Sequence, residues 1–288
     1  MEASRKAVPL LILAAIFWST SGVLIKLVAM PPLAIAGWRS FVAAWVILVL
    51  CRKEIKVSWN RDVLIAAVCM GLFCICFVGA TKLSTAANAI VLQYSASAFV
   101  AVLAPIIINE PTRRQDWLFL AVVVFGIGLF FLDDLSLRGI WGIILGITGA
   151  LLWALSNIFL RKSKNHSTAW PLALGNFLAA ILCLPFMFSQ APSLSDAMGI
   201  IGLGVISIGA GYAIFSYAIK HVQALEAVLI CSIEPLINPL WVFLFAGEIP
   251  GPSSLAGGGL VLAAVTVRSL VTASQERRRT RQQKNGMV

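Results

Sequence analysis

The sequence predicts an all-α polytopic membrane protein with ten transmembrane helices arranged as two inverted five-helix repeats. Three observations predict this fold class: a composition too apolar for a soluble core, a series of apolar runs of bilayer length, and an internal repeat. The 288 residues are 60% hydrophobic and 12% charged, and their mean hydropathy is +0.93. Soluble domains carry about 25% charged residues, so this chain must place most of its apolar surface in lipid.

Ten apolar runs have about the length that a helix needs to cross a bilayer, roughly 17–25 residues. Short segments rich in proline or charge separate them, and no gap is long enough for a soluble domain. The predicted spans are residues 8–29, 33–51, 62–81, 86–108, 116–132, 139–160, 169–189, 197–219, 224–247 and 253–271. A basic tail, residues 272–288, follows them, and we expect it to lie along anionic lipid headgroups.

Basic residues predict the orientation of these spans. Most of the 22 Lys and Arg residues fall on one side of the predicted membrane, whereas Lys82 and Arg138 fall on the other side with Asp196. Because Lys and Arg are retained on the cytoplasmic side, both termini are expected in the cytoplasm, in a plasma or inner membrane. The net charge of +10 is therefore interpreted as a topology signal, and a nucleic-acid partner is not expected.

An internal repeat relates the two halves of the chain. One constant shift aligns Gly71 with Gly209, Phe77 with Phe215, Lys82 with Lys220 and Glu110 with Glu248, and a slightly smaller shift aligns Trp18 with Trp153. The repeats are predicted as residues 1–134 and 135–271. Each contains five spans, an odd number, so the second repeat must enter the bilayer from the opposite side. A binding site is expected near the midplane, between the halves.

Several motifs together resemble the EamA family of the drug/metabolite transporter superfamily. They are Trp18-Ser19-Thr20-Ser21 with Lys26, Arg39, Gly79-Ala80-Thr81-Lys82-Leu83, Ile233-Glu234-Pro235 and Gly247-Glu248. The resemblance implies a ten-helix secondary transporter with a central cavity, and members similar to this chain mostly export amino acids and other small metabolites. One departure is that Ala96-Ser97 occupies the first-half positions that match Glu234-Pro235.

Glu234 is the leading candidate site residue because it lies near the middle of the ninth predicted span. An Asp at a helix centre costs about 2.5–3.5 kcal/mol on insertion scales, and we assume a similar cost for Glu, so Glu234 must face protein or a wet cavity. Either it binds a proton or a substrate ammonium, or it forms a structural hydrogen bond between helices. Pro235 and Pro239 should kink the span beside it, and Pro105 is the hinge candidate of the first half.

Other polar and aromatic residues within spans extend the candidate site. Arg39 is expected either to pair with Glu234 or a substrate carboxylate, or to snorkel to the interface. Lys26, near the end of its span, is expected to snorkel. The remaining candidates either contact a polar substrate or pack between helices: Gln93, Tyr94 and Ser97 in the fourth span, Tyr212 in the eighth, Asn238 one turn after Glu234, and Trp18 and Trp153 bordering the cavity.

The absence of other motifs narrows the mechanism. The sequence has no phosphate-binding loop for ATP, and His166 and His221 lack metal-ligand spacing, so no cofactor or metal is expected. We therefore predict a secondary active transporter rather than an enzyme, exporting amino acids or related small polar metabolites by alternating access. The proton is the hypothetical coupling ion, and the oligomeric state is left open. The alternatives are a nucleotide-sugar or organic-phosphate exchanger, which needs more midplane cations, and a lipid-modifying membrane enzyme, which needs an acid/base or metal cluster.

Overall fold

A computed structural model describes residues 2–109, 114–130, 132, 137–163, 167–218, 233–249 and 251–285. Within these ranges the regular structure is helical and includes no β-strand. The prediction of an all-α protein is therefore confirmed for the described part of the chain.

The helices follow one another with short connections. They are α1 (Glu2–Ser19), α2 (Ser21–Leu27), α3 (Pro32–Leu50), α4 (Arg61–Leu83), α5 (Ala86–Tyr94), α6 (Ala96–Ile108), α7 (Arg114–Phe130), α8 (Leu137–Lys162), α9 (Ala169–Met187), α10 (Leu194–Ile201), α11 (Gly211–Ala218), α12 (Glu234–Ala246) and α13 (Pro252–Asn285). A π-helical segment, Gly202–Ala210, joins α10 to α11.

Seven segments of the described chain are long and apolar enough to cross a membrane. They are Pro9–Leu27, Pro32–Leu50, Arg61–Leu83, Ala86–Ile108, Gly139–Lys162, Ala169–Met187 and Leu194–Phe215. Shorter apolar helical segments, Trp117–Leu129, Ile237–Ala246 and Pro252–Ala264, occupy the regions of the fifth, ninth and tenth predicted spans. Most of the first part of the ninth span, residues 224–232, lies outside the described residues. The chain is thus a multi-pass membrane protein, while ten crossings and the inverted repeat stay predictions.

Two predicted spans are interrupted at hydroxyl residues. The first span is divided at Thr20, between α1 and α2, where Ser19 Oγ donates to Ile16 O at 2.7 Å and Thr20 Oγ1 to Phe17 O at 2.7 Å. The fourth span is divided at Ser95, whose hydroxyl donates to the Leu92 carbonyl. Such hydroxyls compete with backbone N–H groups for helix carbonyls, which explains why the helices bend or stop there.

The eighth predicted span contains the π-helical segment, which packs against α3. The backbone of this segment lies close to α3: a Cβ at Gly204 would be 3.0 Å from the Arg39 carbonyl oxygen. Irregular helical turns of this kind occur often at functional sites.

The centre of the bundle is formed by α3, α4, α8 and α9, and α4 packs against each of the other three. At the crossing of α4 and α9, a Cβ at Gly71 would lie 2.6 Å from Gly175 O, and a Cβ at Gly175 would lie 2.6 Å from Ala67 O. Only glycine permits this close approach of two backbones, which is typical of packing between transmembrane helices.

The prolines predicted as hinges stand in different environments. Pro235 occupies the first turn of α12, whose described part begins at Glu234, and a proline in the first turn removes no intrahelical hydrogen bond. The described helix therefore has no kink to attribute to Pro235. Pro239 lies inside α12 and Pro105 inside α6, and both helices continue past them.

Candidate functional site

The buried carboxylate of Glu234 is hydrogen-bonded to a tyrosine of a distant helix. Glu234 is 5% exposed and stands in the first turn of α12, where the helix dipole favours a negative charge. Tyr94, the last residue of α5, donates from Oη to Glu234 Oε2 at 2.9 Å. The sequence nominated both residues, and the structure brings them together across an interface between two helices.

Asn238 lies one turn after Glu234 on α12 and is fully buried, with 0% exposure. Neither its amide oxygen nor its amide nitrogen has a hydrogen-bond partner among the described residues. Gly22, at the start of α2, faces this amide so closely that a Cβ there would collide with Oδ1. Buried polar side chains are usually paired, so an unpaired amide next to a buried acid requires an explanation.

Aromatic side chains from four helices form a continuous series of ring contacts, which we call the aromatic wall. Trp18 of α1 and Trp153 of α8 both contact Tyr212 of α11, with ring centroids 5.3 and 6.5 Å away. Trp153 also stacks on Phe73 of α4, at 4.9 Å. The Trp18 indole N–H is buried, and no described residue accepts a hydrogen bond from it. Aromatic walls with a few convergent polar groups are typical of small-molecule sites.

Arg39 on α3 is buried in the bundle, with 1% exposure. Its Nη2 donates to the Cys74 carbonyl at 3.0 Å, and its guanidinium carbon lies 5.9 Å from the centroid of the Phe77 ring. Within the part of the chain that the structure describes, its Nε and Nη1 have no hydrogen-bond partner. The alternative in which Arg39 snorkels to the interface is wrong, because the side chain points into the bundle and not toward headgroups.

The expected pairing of Arg39 with Glu234 is not formed among the described residues. Arg39 bonds to a backbone carbonyl and Glu234 to Tyr94. Among the described residues neither group has an ion-pair partner, and burying an unpaired charge is costly in a low-dielectric interior.

The other residues nominated in the fourth span have less definite roles. Gln93 on α5 is half-buried, and the side chain of Ser97 lies outside what the structure describes. Asn88, earlier on α5, donates from Nδ2 to Ser84 Oγ at 3.0 Å, so it stabilises the beginning of that helix.

Sequence reasoning missed an ion pair that joins three segments at one end of the bundle, which we call the Lys26 end. Lys26 Nζ lies 2.7 Å from Glu248 Oε2 and donates to the Ser84 carbonyl at 2.7 Å. Glu248 Oε1 accepts from the Ala86 backbone N–H at 2.8 Å. The expectation that Lys26 snorkels into headgroups is wrong, because its side chain is only 18% exposed. The sequence signal for this pair was the presence of opposite charges, Lys26 and Glu248, at the ends of two predicted spans.

Further hydrogen bonds at the Lys26 end hold the chain that follows α2. Lys82, at the end of α4, donates from Nζ to Val28 O at 2.6 Å. Asp196, at the start of α10, accepts from the Ala29 N–H at 2.6 Å. The residues just after α2 are therefore attached to both α4 and α10.

The opposite end of α4 carries a more open ion pair. Lys162 Nζ lies 3.2 Å from Asp62 Oδ1, and the Lys162 side chain is 43% exposed. Ion pairs this exposed contribute about 0–1 kcal/mol, so this pair serves as a reference for the more buried one at the Lys26 end.

The fold and site define a polytopic helical membrane protein that buries ionisable groups between its spans. The chain belongs to the EamA-like transporter family, whose family model matches residues 5–132 and 140–270. The family expected from the sequence motifs is thereby confirmed.

Two relatives and a solved structure are similar to this chain over most of its length. A pseudopaline exporter of Pseudomonas aeruginosa is 24% identical over 275 residues, covering 92% of this chain and 96% of the relative. A probable amino-acid metabolite efflux pump of Salmonella typhimurium is 24% identical over 287 residues, covering 92% and 95%. One crystal structure superposes with a TM-score of 0.64 at 17% identity, covering 92% of this chain and 98% of the other, which supports the fold alone.

Proposed function

We propose that the protein is a secondary active exporter of amino acids or related small polar metabolites, working by alternating access in a plasma or inner membrane. Membership of the EamA-like transporter family and relatives named as exporters support this class. The observation that carries the proposal is the buried Glu234 carboxylate, held by Tyr94 and followed one turn later by the unpaired Asn238 amide.

The chemistry of these groups matches a zwitterionic substrate. An ammonium requires an acceptor of opposite charge, which Glu234 supplies, and the Asn238 amide adds both a donor and an acceptor. A carboxylate requires a positive charge and N–H donors, which the Arg39 guanidinium supplies, since its Nε and Nη1 have no partner among the described residues. The aromatic wall of Trp18, Tyr212 and Trp153 covers the apolar part of the substrate.

Glu234 also serves as the coupling site in this proposal. An ionised carboxylate attracts an ammonium, whereas a protonated one does not, so a proton and an ammonium exclude each other at this position. Protonation from one side of the membrane would release the substrate, and deprotonation on the other side would restore binding. Exchange of this kind converts a proton gradient into export without ATP.

Alternating access arises from motion of the two repeats, residues 1–134 and 135–271, about the midplane site. Pro105 and Pro239 provide places where a helix can bend with little loss of hydrogen bonding. Both termini lie in the cytoplasm, and the basic tail lies on anionic headgroups there.

The test is transport by Glu234→Gln in proteoliposomes loaded with radiolabelled amino acids, with and without a pH gradient. We expect Gln to abolish the dependence of transport on pH while membrane insertion is preserved, because an amide cannot exchange a proton. Glu54→Gln is the matched control, since Glu54 is an exposed carboxylate outside the site, and it should retain the wild-type pH dependence.

Unchanged pH dependence in Glu234→Gln would remove the coupling role of this residue. A substrate panel in the same assay, extended to nucleotide sugars and organic phosphates, tests the substrate class. Transport of phosphorylated compounds alone would contradict the proposal.

A further inference from the structure

The short helix α5 is attached at both of its ends to carboxylates that flank α12. At its last residue, Tyr94 donates to Glu234, which begins α12. At its first residue, the Ala86 N–H donates to Glu248, which lies two positions beyond the end of α12 at Ala246. The start of each helix therefore lies beside the end of the other, and the two helices pack directly.

The Glu248 attachment is also part of a closure at the Lys26 end. Lys26 of α2 bridges Glu248 and the Ser84 carbonyl, which precedes α5. The same helices also form an apolar cluster, which we call the plug. It consists of Val23 of α2, Ala86 of α5 and Val242 of α12. An ion pair above an apolar plug is the arrangement expected of a closed gate, because both must separate before water can enter.

The anchors of α2 indicate which part of this closure can move. Lys82 and Asp196 hold residues 28 and 29 to α4 and α10, so α2 is supported from two sides. The helix α5 packs against α4, α8, α12 and α13, but the interruption at Ser95 separates it from α6. A nine-residue helix is roughly 13 Å long at about 1.5 Å per residue, so it can transmit a displacement from one end to the other as a rigid rod.

We propose that the Lys26 end is the closed outer gate of the transport pathway and that α5 couples this gate to the Glu234 site. Loss of the Tyr94–Glu234 hydrogen bond removes one attachment between α5 and α12, which weakens the Glu248–Ala86 contact and opens the Lys26–Glu248 pair. Because coupling between two sites is reciprocal, opening the gate must also weaken the Tyr94–Glu234 contact. The inference rests on the proposed transport function for its direction, outward release.

The gate is tested by the accessibility of a cysteine placed in the plug. Val23→Cys is a conservative change at a position that is 7% exposed, and its reaction with a membrane-impermeant maleimide is measured in intact cells against the same protein without that cysteine. We expect slow labelling in the parent. Lys26→Met and Glu248→Gln should each accelerate labelling at least about fivefold, the lower range of typical coupling between sites.

The coupling is tested by Tyr94→Phe in the same Val23→Cys background. Phenylalanine keeps the ring and removes only the hydroxyl that donates to Glu234, so accelerated labelling supports transmission through α5. Labelling at the parental rate in Tyr94→Phe would overturn the coupling, and labelling at that rate in Lys26→Met would overturn the gate.

Two controls separate these outcomes from misfolding and from failure of the transport proposal. Lys162→Met removes the ion pair at the other end of α4 and should leave labelling unchanged. The charge-reversed pair Lys26→Glu with Glu248→Lys should label more slowly than either Lys26→Met or Glu248→Gln, because it re-forms the ion pair but not the hydrogen bonds to Ser84 and Ala86. Labelling requires no substrate, so a responsive gate in a protein that transports no amino acid would contradict the proposed function alone. Where Val23→Cys fails to insert, Val242→Cys reports on the same cluster.

Discussion

Arg39 is a guanidinium buried among helices and bonded to a single backbone carbonyl. The desolvation of such a charge costs several kcal/mol, which one carbonyl and the face of Phe77 offset only in part. Packing alone does not explain a buried charge with this desolvation cost, because a protein with a well-packed apolar residue of similar volume at such a site is often as stable or more stable. The proposed role of Arg39 as a hydrogen-bond donor to a substrate carboxylate would account for its Nε and Nη1, which have no partner among the described residues.

Arg39→Met is therefore expected to reduce transport of amino acids by about tenfold or more, since a hydrogen bond to a charged group contributes roughly 1.5–3 kcal/mol. The thermal stability of the purified protein should be unchanged or higher. Arg39→Lys is the matched comparison, because it keeps the charge but loses the planar donor pair. A lower melting temperature combined with an unchanged KM in Arg39→Met would instead indicate a structural residue.

At the scale of elements, the crossing of α4 and α9 depends on backbone contact at Gly71 and Gly175. Gly71→Ala is expected to destabilise the protein by about 1–3 kcal/mol, because the added methyl meets a backbone oxygen that cannot move away without shifting a helix. The measurement is the loss of folded protein on heating in detergent.

Gly128→Ala in α7 is the control for this prediction. A Cβ at Gly128 would have no neighbour within 4 Å, so the substitution should be neutral or stabilise the helix by up to about 1 kcal/mol. If the two substitutions changed the stability equally, the backbone contact at Gly71 would not be the cause of the destabilisation.

At the scale of the whole molecule, ten crossings require both ends of the chain to lie on one side of the membrane. We expect reporters fused before α1 and after α13 to be protected together in sealed cells, on the side that carries most of the 22 Lys and Arg residues. A reporter inserted between α9 and α10 should be accessible from the outside. Opposite accessibility of the two terminal reporters would contradict an even number of crossings.

The class of the protein and the burial of Glu234 followed from sequence alone. Composition, the length of the apolar runs and the EamA motifs predicted a helical membrane transporter. The bilayer sets the apolar content and the length of a spanning helix, and this requirement does not depend on how the helices pack. Glu234 could be nominated for the same reason: a carboxylate in an apolar run requires a partner, although the sequence could not name Tyr94 as that partner.

Only the tertiary structure decided how the charged groups pair. Arg39 faces Cys74 O and not Glu234, and Lys26 pairs with Glu248 instead of reaching headgroups. The sequence also did not predict the helix interruptions at Thr20 and Ser95. A Ser or Thr hydroxyl that bonds to a backbone carbonyl interrupts some helices and leaves others intact, so its presence in a span does not predict a break. The apolar composition of a span is set by the surrounding lipid, so each span can be predicted from its own sequence. Pairing depends on which helices pack together, and residues 140 positions apart, such as Tyr94 and Glu234, become neighbours only in the assembled bundle.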